Sequence, residues 1–143
     1  MNMYNFNQFI EVPFTPDGRS FDGVDCYGLM WIIYKMLFKI ELPRYNGFSV
    51  DKAVNHPEEV KKIIKEVTDR SWKPIEIGDE QVGDSIEIKI LGESVHCGIV
   101  VRPQRDMIHV HKAINVTVER YNTGKWKHRI VRFYRHKDMP MMK

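Results

Sequence analysis

A chain of 143 residues is long enough for one domain spanning 1–143 and too short for two comfortable ones, and at that size it needs no disulfide framework to bury a core. Its 43% apolar and 29% charged residues exclude a disordered or fibrous chain. The net charge of +3 comes without a compact basic run interleaved with aromatics, so nucleic acid gains no support as a partner.

Taken in chain order, the N-terminal MNMYNFNQFIEVPF has neither a basic leader region nor an apolar one, so no export signal is expected. Residues 11–25 (EVPFTPDGRSFDGVD) carry prolines and glycines and read as an irregular loop. From Cys26 to about Ile40 the apolar residues Leu29, Met30, Ile32, Ile33, Met36, Leu37 and Ile40 recur at helical spacing, which predicts a central, buried helix. Its apolar run is interrupted by Lys35 and is too short to span a bilayer, so no membrane segment is expected. "LPRY" at 42–45 stops the helix, because a residue before proline is pushed out of the helical region. A second helix is predicted from Pro57, with Val60, Ile63, Ile64 and Val67 on its inner face.

After Trp72 the period becomes two. Ile86–Ile90, Val95–Val101, Met107–Lys112, Val116–Arg120 and Arg129–Arg135 are strand candidates. Helices followed by closely spaced strands argue for an α+β fold, with helices packed on an antiparallel sheet of about five strands.

The chemistry centres on Cys26. A thiol that opens a helix sits where free N–H groups and the helix dipole favour an anion, and this can lower its pKa to about 3.5–7.5. Gly23 and Asp25 suit the turn and the cap at such a helix start. The competing reading is a small buried hydrophobe. A base decides between them.

Of six histidines, His56 belongs with the cap of the second helix, and His128 and His136 lie in a basic, solvated segment. His96, His109 and His111 fall on two predicted neighbouring strands, which brings imidazoles together as a base and its orienting partner require. Adjacent residues on a strand point to opposite faces, so Cys97 cannot share a face with His96 and reads as core packing. Gly98 leaves room beside His96 for another group. His109 and His111 share a face about 6.6 Å apart, and alternation cannot choose between them. Three histidines and a cysteine could ligate zinc, but His-x-His without a further spaced ligand is too weak a pattern to assign a metal, and no cofactor is indicated.

"DGVDCYGL", "ELPRY", "QVGDSIEI", "HCGIV" and "MIHVHK", in this order from about Val12 to His136, resemble the NlpC-type cysteine peptidases. "VPFTPDGRSFDGVDC" and "RIVRFYRHK" are similar to the phage-tail branch of that family. The resemblance implies a papain-like α+β fold with Cys26 as nucleophile, His96 as general base and His109 as the polar group that orients His96; His111 falls on an ordinary position and is the alternative third member. Asp25 falls on the aspartate before the nucleophile. Two positions depart from the pattern. Tyr27 replaces a serine, and Phe14 stands where the family often has a tyrosine near the oxyanion site, leaving backbone N–H groups, that of Cys26 included, to fill that role. The implied activity is hydrolysis of a γ-D-glutamyl–diamino-acid amide in peptidoglycan stem peptides, by a protein made in the cytoplasm and carried in a virion tail with other tail proteins as partners. The alternatives are a non-hydrolytic tail-tip component on the same fold, or another thiol acyl-transfer enzyme.

Overall fold

Two short strands, β1 (Arg19–Ser20) and β2 (Gly23–Val24), form an antiparallel ribbon directly ahead of Cys26. The computed structural model describes residues 4–44, 70–90, 92–112 and 114–140, with Glu58. The loop expected over 11–25 therefore contains regular structure. Gly18 and Gly23 make it possible, because a Cβ on Gly18 would lie 2.2 Å from the Gly23 carbonyl oxygen.

The helix α1 (Cys26–Ile33) starts at the expected residue, and the side chain of Asp25 caps it by accepting from Gly28 N–H. It is α-helical only to Ile33. A π-helical turn, Tyr34–Phe38, continues it, and Lys39 in the left-handed region (φ 60°) ends it before Pro43 acts. Packing accounts for the widened turn: Tyr34 is fully buried among Phe38, Trp72 and His136, and its hydroxyl donates to the Gly83 carbonyl. Residues 42–44 fold back on the helix. Trp31 Nε1 donates to the Leu42 carbonyl at 2.9 Å, and the Tyr27 hydroxyl to that of Pro43 at 2.5 Å. The second predicted helix and His56 lie outside the described residues.

The remaining elements are β3 (Trp72–Ile75), β4 (Ser85–Ile90), β5 (Glu93–Arg102), β6 (Asp106–His111), β7 (Ile114–Arg120), a one-turn α2 (Gly124–Lys127) and β8 (Ile130–His136). They build a six-stranded antiparallel sheet in the order β3-β8-β4-β5-β6-β7. Five of these strands match the predicted ones. The sixth, β3, contains Pro74, which breaks the alternation signal but is tolerated on an edge strand. His136 is a correction: it is buried, not solvated, because β8 pairs it with Trp72 and the two rings meet edge to face at 4.9 Å. His128 is exposed, as expected.

Two apolar clusters hold this arrangement. Leu29, Met30, Ile32 and Ile33 of α1 pack with Ile99 and Val101 of β5 and with Ile108 and Val110 of β6. The alternate residues of those strands, Val100 and Met107, join Ile86, Ile88, Tyr121, Trp126 and Phe133 in the second cluster. Each fully buried aliphatic side chain contributes about 1.5–3 kcal/mol relative to exposure. The β5–β6 register runs over Ile99↔Ile108, Val100↔Met107 and Arg102↔Asp106. Beyond it, His96 is paired across to Ile88 of β4, and His109 to Thr117 of β7. The histidines lie just past this register, with His96 and His109 in hydrogen-bond contact across the two strands, and Cys97 beside His96 reaches the carbonyl of Cys26 at the start of α1.

Candidate active site

The loop that presents Cys26 is fixed by a buried carboxylate. Asp25 Oδ1 accepts from Gly28 N at 2.7 Å and from Arg19 Nη1 at 2.9 Å, while Oδ2 accepts from Asp17 N at 3.0 Å. The side chains of Asp25 and Arg19 are both wholly buried. Arg19 Nε and Nη2 also donate to the Arg44 carbonyl at 3.0 and 2.8 Å, tying the "LPR" segment to the same loop. Gly28 is required here: a Cβ would lie 2.0 Å from the Gly18 carbonyl oxygen and 3.0 Å from Asp25 Oδ1. Burial, reinforced by the charge of Cys26, pushes the Asp25 pKa up to about 6 despite Arg19 and the two amides.

Cys26 is buried, with its thiol at the positive end of α1. A hydrogen bond with Cys97, then the hydrogen bond and charge of His96, outweigh burial and hold the Cys26 thiol well below its ordinary range. Cys97 moves the opposite way, its thiol pushed up first by the bond to Cys26 and then by burial. Its Sγ also lies 3.4 Å from the Cys26 carbonyl oxygen, which accepts from it. Alternation does put Cys97 on the α1 side of β5, packed on the first cluster. That is the side where Cys26 arrives, so the residue read as core packing also touches the nucleophile candidate.

His96 is buried beside Trp126, and its Nε2 meets His109 Nδ1 at 3.0 Å. Its Nδ1 is enclosed and takes no other hydrogen bond, leaving that nitrogen for the thiol. His109 is wholly buried, and its Nε2 donates to Glu119 Oε2 at 2.5 Å. The same carboxylate oxygen accepts Trp126 Nε1 at 3.1 Å. The space expected beside Gly98 is filled by β6: a Cβ there would lie 3.1 Å from Met107 Sδ and 3.6 Å from His109 Cβ. Burial, then the charge of His96, lowers the His109 pKa to about 4 against the pull of Glu119, so this imidazole is neutral at neutral pH. His111 stays close, with its ring 6.1 Å from His96 and 5.7 Å from His109, but His109 is the residue bonded to His96 Nε2. Phe14 is half-buried, bridged by its backbone to Val24 and packed on the first cluster, and it offers no hydroxyl. Among the described residues, no group of three or more His, Cys, Asp or Glu side chains is arranged to hold a metal ion.

A thiol at a helix start, two imidazoles in series and a loop locked by a buried aspartate make a thiol-activating arrangement. The description "NlpC/P60 family" matches residues 11–135 of the sequence. The chain belongs to this family. Comparison with curated protein sequences gives no match. Solved structures of NlpC/P60 proteins share the fold. The NlpC/p60 domain of the peptidoglycan hydrolase SagA superposes with a TM-score of 0.60 at 16% identity, covering 94% of this chain and 92% of that one. An NlpC/P60 family protein from Bacillus cereus ATCC 10987 gives 0.66 at 22% identity, over 94% of this chain and 38% of that one. A protein described as similar to a lipoprotein of the NLP/P60 family, from Staphylococcus aureus subsp. aureus Mu50, gives 0.58 at 20% identity, over 90% and 37%. This NlpC/P60 chain thus spans less than two fifths of the latter two proteins.

Three residues of the site, Arg19, Glu119 and Trp126, carry no functional signal in the sequence. Arg19 carries no local signal, since its partner is set by closure of the β1–β2 loop. Glu119 and Trp126 lie on β7 and α2, and only the β6–β7 register, with Met107 opposite Glu119, carries that carboxylate to His109. No helix among the described residues is long and apolar enough to cross a membrane.

Proposed function

We propose that this protein is a cell-wall cysteine peptidase that cleaves a γ-D-glutamyl–diamino-acid amide in peptidoglycan stem peptides, carried by a phage or prophage tail. The observation that carries the reading is the line from the lowered Cys26 thiol through His96 to His109. Membership of the NlpC/P60 family supports the substrate class, and the resemblance of the segments around Cys26 and at the C-terminal strand to the phage-tail branch supports the tail context.

In this mechanism His96 Nδ1 takes the Cys26 proton and the thiolate attacks the amide carbonyl. The oxyanion is met by the Cys26 backbone N–H, since Phe14 has nothing to donate. His96 returns the proton to the leaving amine, and water then hydrolyses the thioester with His96 again acting as base. His109 orients the His96 ring, and Asp25 holds the loop that aims the thiol. Purified muropeptides incubated with wild-type protein should release a new amine, and Cys26→Ala protein should release none. Equal cleavage by both would overturn the reading.

Phe14 is the specific observation that favours a second reading, a tail component that keeps the fold without hydrolysis. It predicts that wild-type and Cys26→Ala proteins alike leave muropeptides intact and assemble equally well.

A further inference from the structure

We propose that Glu119 is a positioning residue: it fixes the proton order along His109 and His96 so that His96 presents a bare Nδ1 to the Cys26 thiol. The inference deepens the proposed peptidase reading and rests on it for its catalytic meaning.

Donor and acceptor roles fix where each proton lies. An ionised carboxylate can only accept, so the His109 proton must lie on Nε2, 2.5 Å from Glu119 Oε2. A neutral imidazole carries one N–H, so His109 Nδ1 must accept. The 3.0 Å contact to His96 Nε2 is then made by the His96 proton. Neutral His96 is left with its lone pair on Nδ1, the nitrogen with no other bond. When Nδ1 takes the thiol proton, the resulting imidazolium still donates from Nε2 to His109, so no other hydrogen bond need break.

Remove the carboxylate and this direction is lost. His109 could then place its proton on Nδ1 and donate to His96 Nε2. His96 would carry its own proton on Nδ1 and meet the thiol as a donor, unable to act as a base. Trp126 strengthens the bias, because an indole N–H can only donate and at 3.1 Å it holds the same carboxylate oxygen in place. His96 on β5, His109 and His111 on β6, and Lys125 and Trp126 on α2 are the groups that act on this carboxylate and its partner imidazole. Burial raises the Glu119 pKa, but the hydrogen bonds from His109 and Trp126 and the charge of Lys125 outweigh it and hold Glu119 below its ordinary range, so it stays ionised where the thiol must react.

The test needs no wall substrate. Nitrogen-15 NMR of the histidine rings reports tautomers, and mass spectrometry reports the rate of iodoacetamide alkylation at Cys26. Wild-type protein should show His109 as the Nε2–H form and His96 with an unprotonated Nδ1 in its neutral state. Glu119→Ala should shift His109 toward Nδ1–H and slow Cys26 alkylation at pH 7 by about 10- to 100-fold. Glu119→Gln should keep the wild-type tautomers, because Trp126 pins its amide oxygen toward His109. The double variant Glu119→Gln/Trp126→Phe frees the amide to turn and should behave like Glu119→Ala. That pair keeps the test decisive if the alanine variant does not fold. Unchanged tautomers in the alanine or double variant, or alkylation within about twofold of wild type, would overturn the proposal. Wild-type protein with the expected tautomers that leaves muropeptides intact would instead overturn the peptidase reading and leave the role of Glu119 standing.

Discussion

Two carboxylates stand at opposite ends of the site, Asp25 beside Cys26 and Glu119 beyond the two histidines, and the contrast between them explains how the site divides its tasks. Asp25 is wholly buried, faces a wholly buried Arg19, and has its pKa raised to about 6. Glu119 is 29% exposed in its side chain, accepts a histidine and an indole, and has its pKa lowered. The buried acid accepts from three donors and fixes backbone; its own charge is costly to keep. The outer acid is partly hydrated, keeps its charge readily, and acts through that charge on a neutral histidine. Rigidity therefore comes from the inner carboxylate and proton order from the outer one.

The largest effect should come from breaking the inner pair. Arg19→Met leaves the Asp25 carboxylate buried without its cation and should lower unfolding free energy by about 3–5 kcal/mol in urea titration. Glu119→Gln should change stability far less, since its site is partly hydrated. Comparable losses in the two variants would erase the distinction between the acids.

The next effect is in pH dependence. The His109 pKa falls from 6.5 unfolded to about 4 folded, so between those values the unfolded chain binds more protons. Stability should then fall as pH is lowered from 6.5 toward 4, by on the order of 3 kcal/mol from this group. Asp25 acts with the opposite sign in part of that window, because its raised pKa makes the folded state the better proton binder between 3.8 and about 6. Comparing wild type with His109→Gln cancels Asp25 and isolates the histidine. Equal slopes in the two proteins would show that His109 titrates normally.

The smallest effect is expected at His111. If His109 alone orients His96, His111→Ala should cost less than about tenfold in muropeptide cleavage, while His109→Ala costs considerably more. The reverse ranking would move the orienting role to His111.

Much of this fold is legible in the sequence because period-two alternation marks five strands and Cys26 opens an apolar helical run. Asp25, Cys26, His96 and His109 are legible as candidates through the family motifs around them. Other features depend on tertiary closure. Arg19 pairs with Asp25 only once β1 and β2 fold back, and Glu119 reaches His109 only through a strand register that alternation leaves open. Cys97 illustrates the limit most clearly. Its face follows from alternation, but the presence of Cys26 on that face follows from how α1 docks. His136 in a basic segment reads as solvated until β8 pairs it with Trp72.

Trp126 has an optical consequence. Its ring lies 4.8 Å from His109 and 5.9 Å from His96, with its N–H on Glu119. A protonated imidazole quenches a neighbouring indole, so with Trp31 and Trp72 replaced by phenylalanine the remaining emission would report the charge of the histidine pair from inside the protein. The residue that steadies the outer carboxylate is thus also a native fluorophore for following proton movement at the thiol in real time.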